Sequence, residues 1–593
     1  MIDKIRREAA AAIPFRGPFV VCASAGPAAF RHRFFAWCQS ASRQERGREH
    51  RFQYCVARGA IAVLLLVLAG CAVGPDFVTP PAPVANSWLE WRNKSLQSGP
   101  EEYRDWWRVF HDPILDRLIE IAYSQNLTLL SAGTRVLQAR AQLGIAIGEF
   151  WPQKQQALGT VSYNLLSQAN AQSSPVAGVG QSSPAPGIRI LNFWSDAIGV
   201  QAAWELDFWG KFRRGVESAD SAYLASVASY DDVLVTLLGD VASTYIGIRT
   251  IERQIAIARE NIVKQRGIVA IARDRYKGGA ATLLDVYQAE NVLGATEATV
   301  PQLTIQLQQG LNALRVLLGM APEPLDSLLA RATGQIPTAP KNVVVGVPAD
   351  LLRRRPDIRT AELRAAAQSA QIGVAEADLY PAIGITGAFG GLASNVGGHN
   401  LWQAFHPVGQ AFSVGPSFQW NLLNYGQITN NVRLQDATLQ QYLVDYQNTV
   451  LKAQQEVENG IATFTLSRVQ AEYLHRSVVA ANGALGIATL EYQQGTRDFT
   501  TVLTAEQNLY QAETNLASAT GNISTGLVSV FRALGGGWQI RDGNGFVNVA
   551  TSEEMRRRTN WGQLLAPANE PPLPVPGLPG PEDRGPTVRA PEW

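Results

Sequence analysis

The sequence predicts a mainly helical chain with a smaller β part, laid out twice as helix, two strands, very long helix, turn and helix. Three observations carry this expectation. An internal repeat covers most of the chain, short segments alternate greasy and small residues, and two very long runs contain no proline.

The repeat is read in two registers. In the first, Trp204, Leu206 and Gly210 meet Trp420, Leu422 and Gly426, and Asp220, Tyr230 and Val241 meet Asp436, Tyr446 and Val457. At the same spacing Tyr276, Gly279, Val286, Ala289, Glu290, Leu293 and Glu297 meet Tyr492, Gly495, Val502, Ala505, Glu506, Leu509 and Glu513. It closes with Leu318-Gly319 meeting Leu534-Gly535. Upstream, in a second and slightly wider register, Arg135, Ala141, Gln142, Gly144, Ala146 and Pro152 meet Arg364, Ala370, Gln371, Gly373, Ala375 and Pro381. Between the two landmarks each half is expected to carry a loop, Ser/Pro/Gly-rich over Ser167–Gly187 and Gly-rich over Gly390–Gly398.

Strands come next. Ile383, Ile385 and Phe389 alternate with Gly384, Thr386 and Ala388, and Phe412, Val414, Phe418 and Trp420 alternate with Ser413, Gly415, Ser417 and Gln419. In the first half Ile198, Val200, Trp204 and Leu206 repeat the pattern, more weakly over Ala157–Tyr163. One greasy and one small polar face is the pattern of a membrane barrel wall, although a half-buried soluble sheet has the same local signature.

The helices favour the elongated reading. Lys211–Arg275 and Asn431–Tyr492 hold no proline, and the first run would reach roughly 95 Å at the α-helical rise. Ala219, Ala222, Ala225 and Ala228 allow close helix packing. Four strands cannot close a membrane barrel, whose smallest forms have about eight. An open sheet in lipid leaves edge groups unsatisfied, so the chain must oligomerise, with two or three copies both allowed.

The 593 residues are 46% hydrophobic and 17% charged, the composition of a folded chain. The formal net charge of +1 divides into +7 over residues 1–58 and −6 over residues 59–593. A mildly acidic body argues against nucleic acid as a partner. The cysteines are Cys22, Cys38, Cys55 and Cys71, and none follows Cys71, so the rest has neither a disulfide nor a thiolate zinc site. Ala60–Ala69 is an apolar run of signal-peptide length, too short to span a bilayer. Leu68-Ala69-Gly70-Cys71 resembles a bacterial lipobox, which implies cleavage before Cys71 and a diacylglycerol on its thiol. The basic preamble ahead of the signal is longer than such peptides need. A start site placed too far upstream is expected, with a non-Met initiator near Val56 as one alternative. No later apolar run is long enough to span a bilayer, so no transmembrane helix is expected.

With these features the chain resembles the TolC-type outer-membrane efflux factors, and among them the NodT-like lipoprotein branch. The lipobox, the duplicated plan and Leu351-Leu352-Arg353-Arg354-Arg355-Pro356-Asp357-Ile358-Arg359 carry the resemblance. So does the Tyr-x-x-Gly…Val-x-x-Ala-Glu run in Tyr276–Glu290 and Tyr492–Glu506. It covers about residues 71–540. It implies a homotrimer with a twelve-stranded transmembrane β-barrel among outer-membrane lipids and a helical barrel reaching into the periplasm. A periplasmic adaptor and an inner-membrane pump complete the conduit, which exports small molecules passively. The alternatives are a component for protein secretion or metal export, and a structural coiled-coil lipoprotein. The expected segments are 1–70 extension and signal, 71–110 lipidated N-terminal segment, 111–320 first repeat, 321–347 linker, 348–535 second repeat, and 536–593 C-terminal segment with a disordered Pro-rich tail.

No catalytic or metal motif is found. His111, His399, His406 and His475 have no metal-ligand spacing, and neither a nucleophile elbow nor a phosphate loop occurs, so no enzyme and no cofactor is expected. Gly535-Gly536-Gly537 reads as a helix stop, and Arg353–Arg355 before Pro356 and Asp357 as a helix start with structural ion pairs. Trp204/Trp209 and Trp420/Tyr425, where strand meets helix, read as an interfacial aromatic belt. The hairpins turn at Gly278-Gly279 and Gly495. By resemblance they form the periplasmic tip, with Tyr276 and Tyr492 beside them, where the adaptor docks. Threefold symmetry would gather Asp285, Glu290, Asp498 and Glu506 into a cation-attracting gate, with Asp498 the first candidate and Glu506 the second. Helix capping or solvation accounts for these carboxylates equally well, and Thr504 stands where relatives often carry an acidic residue.

Overall fold

The computed structural model describes residues 72–90, 96–97, 103–165, 192–329, 334–344, 354–396 and 399–565. Cys71, the Ser167–Gly187 segment, Arg353 and the Pro-rich tail lie outside them.

The duplicated plan is present. The first half runs α1 (Pro113–Gln125), α2 (Leu127–Phe150), β1 (Lys154–Leu165), β2 (Asn192–Leu206), α3 (Lys211–Lys277) and α4 (Leu283–Leu317). The second runs α5 (Pro356–Ala377), β3 (Ala382–Ser394), β4 (Gln410–Gln419), α6 (Gln427–Gln494) and α7 (Phe499–Ala533), followed by α8 (Val549–Arg558). The long helices have 67 and 68 residues, and α4 and α7 have 35 each. The duplication reaches single hydrogen bonds. Trp204 Nε1 donates to Phe150 O at 3.3 Å, and its counterpart Trp420 Nε1 donates to Leu379 O at 3.0 Å. Each indole thereby satisfies a carbonyl at the end of the preceding helix or just beyond it, where no intrahelical donor remains.

The four long strands form one antiparallel sheet in the order β1-β2-β3-β4. Paired residues share a face, so the register sorts the side chains. Tyr163↔Trp194, Val200↔Phe389, Trp204↔Ile385 and Phe389↔Phe412 place the large apolar groups on one face. Ser162↔Ser195, Gln156↔Gln201 and Ala388↔Ser413 fill the other. There Ser162 and Ser195 hydroxyls lie 2.9 Å apart, and Gln201 Nε2 donates to Gln156 Oε1 at 3.0 Å. The apolar face is open: Val161, Phe412, Val414 and Phe418 are exposed. Within the described residues neither β1 nor β4 has a partner on its outer edge.

Gly390–Gly398 was expected to be a loop, but β3 continues through Gly390 and Gly391 to Ser394. The glycines serve proximity instead, since a Cβ on Gly391 would sit 1.8 Å from Ala404 O in the 3₁₀ turn Leu401–Phe405. The helix expectation also needs a correction. A stretch of α3 is long and apolar enough to cross a membrane by length and composition, yet 61% of it is buried, so its apolarity belongs to the core.

Two cores matter for function. The larger gathers Trp106, Phe110, Leu115, Tyr245, Phe464 and Phe531 where α1 and the C-terminal segment pack on α3, α6 and α7. Here Leu96–Gln97 pairs in parallel with Val343–Val344. The smaller joins both hairpin ends through Ile268, Ala272, Val286, Leu485, Tyr492 and Phe499. Arg355 starts α5 as a structural anchor: it reaches Asp357 Oδ2 and Glu456 Oε2, both at 2.8 Å, and donates to Ala533 O at 2.5 Å.

The stretch after Cys71 is a strap along the helices. Val73 N donates to Trp209 O at 3.0 Å, Ser369 Oγ to Pro75 O at 3.3 Å, Ala85 N to Gln454 Oε1 at 2.9 Å and Leu89 N to Glu458 Oε1 at 2.8 Å. It therefore runs from the strand–helix junction toward the larger core.

Candidate functional site

Both long helices end in the same left-handed glycine turn. Gly279 has φ +72°, with Gly279 N donating to Tyr276 O at 3.0 Å and Ala280 N to Arg275 O at 2.8 Å. Gly495 has φ +81°, with Gly495 N donating to Tyr492 O and Thr496 N to Glu491 O, each at 3.0 Å. A side chain at either position would strain this backbone, and the paired bonds cap carbonyls that the helix leaves open.

The hairpins are then tied to each other. Arg275 Nη1 donates to Tyr492 O and, at 2.9 Å, to Gln493 O, while Nη2 donates to Ala280 O at 3.1 Å. Its guanidinium lies 4.6 Å from the Tyr492 ring centroid, a cation–π distance. One side chain of the first hairpin thus closes the second hairpin's turn. Tyr492 is buried, and its hydroxyl is pushed above its ordinary pKa by burial and by the Asp285 carboxylate. Tyr276, its repeat counterpart, is exposed.

The four candidate carboxylates sit in four different settings. Asp285 forms a capping box with Thr282 at the start of α4. Glu290 pairs with Arg273 at 2.6 Å on the helix surface. Asp498 is exposed at the N-cap of α7 and makes no capping bond with its side chain. Glu506 was expected to face the passage, but in the protomer it is only 2% exposed, packed inside the bundle. Burial raises its pKa to about 7, and the Gln265 amide and the Lys264 ammonium oppose this without cancelling it. Glu506 Oε1 makes no hydrogen bond among the described residues. Sequence reasoning missed Arg275, although its place one residue before a turn tyrosine was readable. Among the described residues no three His, Cys, Asp or Glu side chains cluster as a metal site.

The comparisons with known proteins meet this geometry along most of the chain. The family model described as outer membrane efflux protein matches residues 118–320 and 347–536. The chain belongs to that family. This efflux protein is 28% identical over 481 residues to nodulation protein T of Rhizobium leguminosarum bv. viciae, covering 81% of this chain and 94% of that one. It is 30% identical over 465 residues to the pyoverdine export outer membrane protein OpmQ of Pseudomonas putida, covering 78% and 93%. Among solved structures the outer-membrane channel OprN superposes with a TM-score of 0.72 at 31% identity, covering 79% of this chain and all of that one. The efflux protein is therefore an outer-membrane channel component of a tripartite efflux system, a conduit and not an enzyme.

Proposed function

We propose that this efflux protein is a lipid-anchored duct of the NodT-like branch, whose three copies close a twelve-stranded barrel and continue below it as a helical tunnel. The carrying observation is the four-stranded sheet with an apolar face, a polar face and two edges that have no partner among the described residues. In hydrocarbon such edges must be satisfied by strands from other copies. Planar-bilayer recording with the purified chain tests this. Trimers with unitary conductance are expected, and a detergent-free soluble monomer without conductance would overturn it.

The anchor reading rests on the strap. A Cβ added to Gly210 would lie 2.7 Å from Ala72 Cα, so the residue after Cys71 packs where sheet gives way to helix. That is the level at which an acyl chain on Cys71 would enter a leaflet. Mass spectrometry of the mature protein should find lipidated Cys71 as its first residue; an unmodified Cys71, or any residue before it, refutes the anchor. Closed strands hold the barrel by themselves, so Cys71→Ser is expected still to insert. The Ser167–Gly187 segment is assigned to the cell exterior, because barrels place long loops outward. An epitope inserted there should be reached on intact cells, and access only after lysis would reverse the topology.

The hairpin ends, with Tyr276, Gly278, Gly279, Tyr492 and Gly495, form the docking end for a periplasmic adaptor that couples the duct to an inner-membrane pump. Exposed Asp498 supplies the negative ring of the gate, with Asp285 as a second contributor, while Glu290 is ion-paired and Glu506 buried within the protomer. Single-channel recording of Asp498→Ala should show weaker cation selectivity and divalent block; unchanged values would remove the ring. The relative named for pyoverdine export favours small organic cargo over protein or metal.

A further inference from the structure

The repeat pairs Arg135 of α2 with Arg364 of α5, and the fold brings both to one cavity of about 370 Å³. Ala222, Ser226, Gln371 and Tyr442 also line it, and no carboxylate does. Neither arginine is buried, and neither makes an ion pair or hydrogen bond among the described residues.

Three helices agree on which way the cavity faces. On α5, Glu362 and Ser369 are held by the strap through Thr79 and Pro75. On α2, Arg140 donates to Leu564 O at 3.0 Å, and Gly133 abuts Phe546 O. On α3, Asp231 accepts from Arg541 Nε at 2.7 Å. These contacts cover one side of the helical layer. At the α-helical repeat, Arg364, Arg135 and Ala222 each lie roughly half a turn from them. The cavity therefore opens on the face away from the strap and the C-terminal segment.

We infer that this cavity is an anion-binding step inside the duct, where Arg135 and Arg364 hold a carboxylate or sulfonate group of passing cargo. The inference rests on the duct reading, in which that face is the lumen. Two guanidiniums of like charge beside one cavity, without a counter-ion, repel each other until an anion joins them, and their planar donor forks match oxyanion geometry. The Tyr442 ring and the alanine floor suit an organic body behind the anionic group. Open to solvent, the site binds weakly, as a conduit requires of a group that must also leave. Three copies give the passage six such guanidiniums.

The test uses the full chain in detergent with Ala222→Cys as reporter, and the unsubstituted chain as the control for Cys71. Rates of thiol modification are compared for an anionic sulfonatoethyl and a cationic trimethylammonioethyl methanethiosulfonate of similar size. The anion-to-cation rate ratio is expected to fall roughly tenfold when Arg135→Gln and Arg364→Gln are added together. Arg135→Lys with Arg364→Lys should preserve it. At constant ionic strength, benzenesulfonate should slow modification with both arginines present and not in the double glutamine variant. An unmoved ratio, or equal protection in both proteins, overturns the inference. The same proteins are recorded in planar bilayers. Conductance with an unmoved ratio removes the anion step alone, whereas absent conductance in the parent removes the duct reading and this inference with it.

Discussion

Glu290 and Glu506 show how little a residue type fixes by itself. They are repeat counterparts, yet one is a surface ion pair and the other a buried acid. The difference lies in their neighbours. Arg273, which neutralises Glu290, is replaced in the second half by Thr489, and Gln265, which faces Glu506, has Ala481 as its counterpart. The sign of the pH dependence follows. The folded chain keeps Glu506 protonated up to about pH 7, from an ordinary value of 4.5, so it binds more protons than the unfolded chain between these limits. Its contribution is therefore lost as pH rises through that window and levels off above it. Half-buried Asp232, raised to about 6, acts in the same direction. Thermal unfolding should show Glu506→Gln more stable than the parent at pH 8 and nearly equal to it at pH 4.5. A gain independent of pH would mean that Glu506 is ionised in the fold.

At the scale of elements, the indole bonds of Trp204 and Trp420 hold each strand to the helix before it. Trp420→Phe keeps an aromatic ring and removes the donor, so a loss of about 1 kcal/mol is expected in unfolding measurements. The hairpins depend more on one residue. Arg275→Ala removes the bonds to the Tyr492 and Gln493 carbonyls and the ring contact. The hairpins should then part more readily, raising single-channel conductance while the trimer survives; unchanged conductance would make Arg275 a packing residue only. The elements themselves were legible, because period two and long proline-free runs are written in the residues. Their encounters were less so. Nothing local to Arg275 says that Tyr492, 217 positions away, will lie beneath it. Gly391 read as a loop because the 3₁₀ turn that needs its missing side chain is a tertiary neighbour.

For the whole molecule, duplication made the architecture readable before any contact was known. Each half alone holds two strands and one hairpin, and two halves give a sheet that is still open. That openness has a consequence in heredity. If each barrel needs three chains to pair β1 against a neighbour's β4, a chain that folds but carries one spoiled edge still enters assemblies and ruins them. Co-expressed in equal amount with the intact gene, such an allele leaves only about one barrel in eight free of it. A proline in β4 at Phe412 should therefore act as a dominant allele, lowering export far below half, while a null allele costs no more than half. Finding the proline allele recessive would show that spoiled chains are excluded before the barrel closes.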